Sequence, residues 1–221
     1  TAHRRENLGQ PIRRIATAVQ QIAQQRPDVV IVWPVHPNPQ VRKDVFAVLG
    51  MTPNVILTQP IDYIPFARLL QRATLAISDS GGVQEEAPSV GTPVLVAREE
   101  SERPEGVEAG SLILVGSDVD RIRNIALTLL DDPAARQAMT AVVNPFGDGH
   151  AADRVRAALE HLVFDTAAPE RFGAAFSRAR VLEASGYDPR EIAITSERIA
   201  QAHPEIPQGS GATRKLAALR R

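Results

Sequence analysis

Cysteine is absent from the 221 residues. That excludes disulfides, thiolate nucleophiles and cysteine-ligated zinc. Aromatic side chains are scarce at 4%, while 43% of the chain is hydrophobic, so a core must be built mainly from Ala, Val, Ile and Leu. An excess of either charge is also lacking. The 25 Lys and Arg face 26 Asp and Glu, for a formal net charge of −1. Such a chain has no net field to hold nucleic acid or an anionic membrane, and neither is expected as a partner. No apolar run approaches the ~20 residues of a membrane-spanning helix. No stretch has the pattern of a secretory signal, so a cytoplasmic location is the expectation. The five histidines show no ligand spacing such as His-Glu-x-x-His, and no metal site is expected.

What is present is an alternation of strand-like and helical segments. Residues 7–25 are amphipathic, with Ile12, Ile15, Val19 and Ile22 on one helical face. Val29-Val30-Ile31-Val32 is a β-branched run of the kind found in a strand buried on both faces. Residues 38–49 read as a helix ended by Gly50, 55–57 as a strand, and 63–72 as a helix capped by Asp62. Strands are expected at 75–78, 93–97 and 112–115. Helices are expected at 83–87, stopped near Pro88, and at 118–130, 133–139 and 151–162. Repeated strand–helix–strand units predict an α/β fold: a Rossmann-like parallel sheet with helices on both faces. In such sheets ligands bind at the carboxyl ends of the strands. Trp33-Pro34-Val35-His36, Gln59-Pro60, Ser80-Gly81-Gly82 and the loop 98–110 all fall at such ends.

Residues 1–164 form the first unit on this reading, and 165–221 a helical appendage. In the appendage, helices are expected over 169–185 and 188–202, followed by a Pro/Gly/Ser-rich linker at 204–213 and a basic, mobile terminus.

The segment Ser78-Asp79-Ser80-Gly81-Gly82-Val83-Gln84-Glu85-Glu86-Ala87-Pro88 carries the strongest chemical signal. A strand runs into a small-residue turn, and the turn opens a helix. Glycines admit a close ligand, and the first free N–H groups of the helix face an anion at the positive end of its dipole. Glu86, one turn further in, suits sugar hydroxyls. On spacing alone, an ordinary strand–turn–helix corner fits equally well.

Four further segments accompany it: Thr1-Ala2-His3-Arg4-Arg5-Glu6-Asn7, Pro60-Ile61-Asp62-Tyr63-Ile64-Pro65-Phe66, Ser101-Glu102-Arg103-Pro104-Glu105-Gly106, and Asn144-Pro145-Phe146-Gly147-Asp148-Gly149-His150. Together, from residue 1 to about 162, they resemble the non-hydrolysing UDP-N-acetylglucosamine 2-epimerases. The resemblance implies the second of two Rossmann-like domains in a GT-B-type architecture. It also implies interconversion of UDP-GlcNAc and UDP-ManNAc by elimination and re-addition of UDP, with no metal or nicotinamide cofactor. By motif, His3 matches the active-site histidine. Ser80, Gly81 and Gly82 match the diphosphate cradle, Glu86 the ribose ligand, Arg103 a phosphate clamp and Phe66 a base-contacting aromatic. Ile61 replaces a polar base-contacting residue of some members. Phe66 suits a core equally well, and Arg103 beside Glu102 and Glu105 also suits a surface ion pair. His36 and His150 read as structural, His161 and His203 as surface residues. The resemblance further implies a first domain, not contained in this chain, that supplies the carboxylates moving the C2 proton, and a homodimer of full-length subunits. A UDP-binding module without turnover and a GT-B glycosyltransferase donor domain are the competing readings.

Overall fold

The computed structural model describes residues 1–141 and 144–169. Five short strands alternate with eight helices among the described residues. Helix α1 is Gln10–Gln25. It starts later than the apolar periodicity predicts, because Gly9 takes a φ of 82° and Pro11 fixes the first turn. Arg5–Asn7 instead form a single 3-10 turn, and Asn7 is buried. Strand β1 is Ile31–Pro34. The expected strand at 29–32 is thereby displaced. Val29 N–H closes a turn onto the Arg26 carbonyl, and Val30 is 64% exposed rather than buried.

Helix α2, Pro39–Leu49, is capped by Asn38, whose side chain accepts from the Gln40 N–H. Strand β2 is Val55–Thr58 and helix α3 is Tyr63–Arg72. Asp62 precedes α3, but its side chain makes no capping hydrogen bond, contrary to expectation. Strand β3 is Ala76–Ser78 and helix α4 is Gly81–Ser89. Helix α4 runs through Pro88 rather than stopping before it. Pro88 lies in the last turn, where its missing N–H costs one ladder bond. Strand β4 is Val94–Val96. Helix α5, Pro104–Ala109, lies inside what reads as a loop, with Pro in its first turn and Gly110 closing it at a φ of 89°. Strand β5 is Leu112–Leu114. Helices α6, Val119–Asp131, α7, Pro133–Thr140, and α8, Ala151–Phe164, follow.

All strand pairings are parallel. The strands form two sheets, β1–β2 and β3–β4–β5, instead of the continuous one expected. Strand β4 is the best-covered element. Leu95 joins one apolar cluster with Ile12 and Ile15 of α1 and Ile122 and Ile125 of α6. Val94 and Val96 join another with Leu70, Val83 and Leu112. This alternation places helices on both faces of the α/β layer. The helices expected over 169–185 and 188–202 and the linker at 204–213 lie outside the described residues, except for Pro169.

Candidate functional site

The carboxyl ends of β1, β3 and β4 meet the loop of residues 1–4, and one buried carboxylate organises the meeting. Asp79 follows β3 and is 0% exposed. Its oxygens accept from the backbone N–H of His3 at 2.9 and 3.1 Å, and from that of Arg4 at 2.8 Å. Asn7 Nδ2 donates to Asp79 at 2.9 Å and to the Ala97 carbonyl, beyond β4, also at 2.9 Å. A buried carboxylate is tolerated when several donors satisfy it, and charge-assisted bonds of this kind are the strong ones. Asp79 thus fixes the backbone that carries His3 and Arg4.

The turn after Asp79 brings a helix start and two guanidinium groups together. Ser80 stands at the N-cap of α4 in extended backbone, and its side chain makes no capping bond. The first N–H groups of α4 are therefore left without a side-chain acceptor at the positive end of the helix. Gly81 lets two cations come close. Arg4 Nη2 and Arg103 Nη2 stand 3.2 and 3.8 Å from where a Cβ on Gly81 would lie. The corresponding point on Gly82 is 3.5 Å from Glu86 Oε1 and 3.9 Å from Ser80 Oγ.

Arg103 is held by a relay of polar groups. Its N–H donates to Ser101 Oγ at 2.9 Å, Ser101 Oγ donates to Gln84 Oε1 at 2.6 Å, and Gln84 Nε2 donates to the Ser80 carbonyl at 3.3 Å. Arg103 Nε pairs with Glu85, which leaves the far side of the guanidinium toward Gly81.

His3 lies against this cluster. Its ring stacks on His36, with centroids 4.9 Å apart and an interplanar angle of 4°. Its Nδ1 is 3.8 Å from Asp79 Oδ1 and has no hydrogen-bond partner. Burial pushes the His3 pKa below 6.5, and the nearby Asp79 only partly offsets this; His36 and Arg4 push it further down. An anion resting on Arg4 and Arg103 would draw it back up.

The structure therefore gathers His3, Ser80, Gly81, Gly82, Glu86 and Arg103. Phe66 is half-buried and packs against the cluster of Leu70 and Val83, the latter on α4 itself. Sequence reasoning passed over Arg4, Gln84, Ser101 and above all Asp79. Asp79 stands inside the glycine-turn motif, but nothing in local spacing reveals partners 76 residues away. Among the described residues no three His, Asp or Glu side chains are grouped to hold a metal ion. What the arrangement offers is cationic side chains, backbone N–H groups, one imidazole and one free carboxylate.

Comparison with known proteins gives a consistent picture. The family model described as UDP-N-acetylglucosamine 2-epimerase matches residues 1–160. A protein of Ralstonia nicotianae named "Probable UDP-N-acetylglucosamine 2-epimerase" is 49% identical over 160 residues, covering 72% of this chain and 43% of that protein. The S. aureus MnaA–UDP co-structure superposes with a TM-score of 0.74 at 38% identity, covering 78% of this chain and 47% of that one. The crystal structure of UDP-GlcNAc 2-epimerase from Neisseria meningitidis bound to UDP-GlcNAc gives a TM-score of 0.69 at 42% identity, over 72% of this chain and 43% of that one. The chain thus spans less than half the length of these relatives. With its parallel α/β layers and a family match over residues 1–160, this chain belongs to the UDP-N-acetylglucosamine 2-epimerase family.

Proposed function

We propose that this chain is the nucleotide-binding half of a non-hydrolysing UDP-GlcNAc 2-epimerase. The observation that carries the reading is the convergence of Arg4 and Arg103 over Gly81 at the uncapped start of α4. Two guanidinium groups and a helix N-terminus suit a diphosphate, and Glu86 beside Gly82 suits the ribose hydroxyls. In this reading the relatives' reaction proceeds in two halves. A base removes the C2 proton while the C1–O bond breaks, and its electron pair leaves with UDP, giving 2-acetamidoglucal. UDP then re-adds at C1 as C2 is protonated from the opposite face. His3, once protonated by the approach of the diphosphate, offsets charge on the departing UDP. No metal or nicotinamide cofactor is required by this chemistry.

Proton removal needs a placed base and a closed cleft. In this reading both come from a first Rossmann-like domain facing the cradle, and full subunits pair as a homodimer in the cytoplasm. The chain alone then binds UDP and UDP-GlcNAc and turns neither over. The competing reading as a glycosyltransferase donor domain shares the cradle but leaves the His3, Arg4 and Asn7 arrangement on Asp79 without a use.

The test is a titration with UDP-GlcNAc, followed by C2 proton exchange in deuterated water, with and without a separately produced first domain. Binding by the chain alone, with exchange only when the domain is added, is the expected result. Failure to bind UDP at millimolar concentration overturns the cradle. Exchange by the chain alone overturns the division of labour.

A further inference from the structure

Arg98 stands just beyond the end of β4, and its guanidinium joins the two segments that bring cations to Gly81. The backbone there is firmly held. Ala97 is buried; its N–H donates to the Ser78 carbonyl at 2.9 Å and its carbonyl accepts from Asn7 Nδ2 at 2.9 Å. The Arg98 N–H donates to the Val96 carbonyl at 2.9 Å, and its own carbonyl accepts from the Gly116 N–H at 3.2 Å. The Arg98 side chain is only 13% exposed. Its Nε lies 2.7 Å from Glu6 Oε1, and its Nη1 lies 2.8 Å from Glu102 Oε1.

Each carboxylate belongs to a different segment of the site. Glu6 lies on the 3-10 turn that follows Arg4. Glu102 immediately precedes Arg103, and its backbone carbonyl accepts from Arg103 Nη1 at 3.2 Å. One planar guanidinium therefore spans the Arg4 segment and the Arg103 segment. The hydrogen bond from Arg98 holds the Glu102 carboxyl below the usual carboxylate range, and the charges of Arg98, Arg4 and Arg103 add to this. Stability is not the main effect, because both carboxylates are about half exposed and ion pairs of that kind contribute little to folding. Geometry is. Arg4 and Arg103 carry like charges and reach to within 3.2 and 3.8 Å of one point over Gly81. Without an anion between them they repel, and something must hold their segments together.

We propose that Arg98 is a positioning residue for the diphosphate: through Glu6 and Glu102 it holds the Arg4 and Arg103 segments together over Gly81 before the ligand arrives. The proposal rests on the reading of the Gly81 turn as a diphosphate site. Its benefit is preorganisation, since two guanidinium groups already gathered need not be ordered on binding. The bridge needs arginine. A lysine places one nitrogen where the planar fork places several, and it cannot hold two carboxylates in fixed directions. The sign of one effect separates this role from simple charge. Glu6 and Glu102 are negative charges beside an anion site, so charge alone predicts that removing either strengthens diphosphate binding. A positioning role predicts that removing either weakens it.

The experiment titrates UDP and UMP calorimetrically, at one ionic strength, into the 221-residue chain and into Glu6→Gln, Glu102→Gln, Arg98→Lys, Arg98→Gln and the Arg98→Gln/Glu102→Gln double variant. Urea midpoints establish that each is folded, and Glu102→Gln, altered only at a half-exposed side chain, carries the test if another variant unfolds. Each carboxylate variant is expected to lose at least about threefold in UDP affinity. UMP, whose single phosphate needs one guanidinium rather than two, loses less. Arg98→Lys does not restore binding. The double variant binds UDP no more weakly than Arg98→Gln, because Glu102 acts through Arg98. Amide exchange at Arg103, whose N–H donates to Ser101 Oγ, quickens in Arg98→Gln without any ligand. Unchanged or tighter UDP binding by both carboxylate variants overturns the proposal, as do equal losses for UDP and UMP. In those cases the parent chain still binds UDP and the diphosphate site stands; a parent chain that does not bind UDP overturns the site and the role of Arg98 together.

Discussion

Asp79 shows how much of the site depends on one side chain. Asp79→Asn keeps the size but removes the charge and turns one acceptor into a donor facing the His3, Arg4 and Asn7 N–H groups. Loss of hydrogen bonds to a charged group predicts a destabilisation of about 2 kcal/mol or more, together with at least about a tenfold loss of UDP affinity. Urea unfolding and calorimetric titration check the two effects separately. Gly81→Ala predicts the opposite division. Its Cβ meets only the mobile ends of Arg4 and Arg103, at 3.2 and 3.8 Å. Alanine favours the helix, so stability should change by less than about 1 kcal/mol, while the diphosphate loses its closest approach and UDP affinity falls.

His3 adds a pH signature. Its folded pKa lies below 6.5, so the unfolded chain binds the proton more readily, and stability is expected to fall as pH drops through 6.5 and below. UDP-GlcNAc, whose charge stays constant over this range, should have the reverse effect on binding. If it raises the His3 pKa, its affinity grows as pH falls from about 7.5 to 6, and His3→Asn removes both trends. Affinity that is flat with pH in the parent chain removes His3 from contact with the diphosphate.

At the scale of elements, the helix starts were legible where local chemistry decides them. Asn38 before Pro39, and Asp118 and Asp132 before their helices, cap them as their residue types require. Strand bounds were less legible. Four-residue strands give too few alternations, and the β-branched run at 29–32 points to a strand that the structure places at Ile31–Pro34, because the Val29 N–H closes a turn onto the Arg26 carbonyl. Helix α5 escaped because six residues fall below any periodicity. Tertiary packing fixes it. Gly106 of α5 lies so close to β5 that a Cβ there would collide with Leu112 and reach 3.0 Å from Phe146 Cζ. Gly106→Ala is therefore expected to cost about 1–3 kcal/mol through overpacking, and to move the Arg103 loop enough to weaken UDP binding. Unchanged denaturation midpoints would show that α5 shifts freely.

At the scale of the whole molecule, the proposed diphosphate site occupies one half of the cleft that the proposed reaction needs. The expected behaviour of the 221-residue chain is saturable UDP-GlcNAc binding without detectable C2 exchange, measured by calorimetry and by proton loss in deuterated water. Among the described residues no helix is long and apolar enough to cross a membrane. The fold class was visible in the alternation of segments, since a periodic apolar pattern is a local property of the chain. Continuity of the sheet was not visible, because no sequence pattern states which strand edges face one another.

By itself the sequence determined the family, the α/β class and the strand–turn–helix order around Gly81 and Gly82, because glycines, caps and element order act through the local backbone. The tertiary structure alone decided that Asp79 holds the His3 loop, that Arg4 joins Arg103 over Gly81, and that Phe66 packs with the apolar cluster. It also decided that β1 and β3 stand in separate sheets. Each of these rests on contacts between residues far apart in the chain, and only packing and the pairing of buried polar groups bring such residues together.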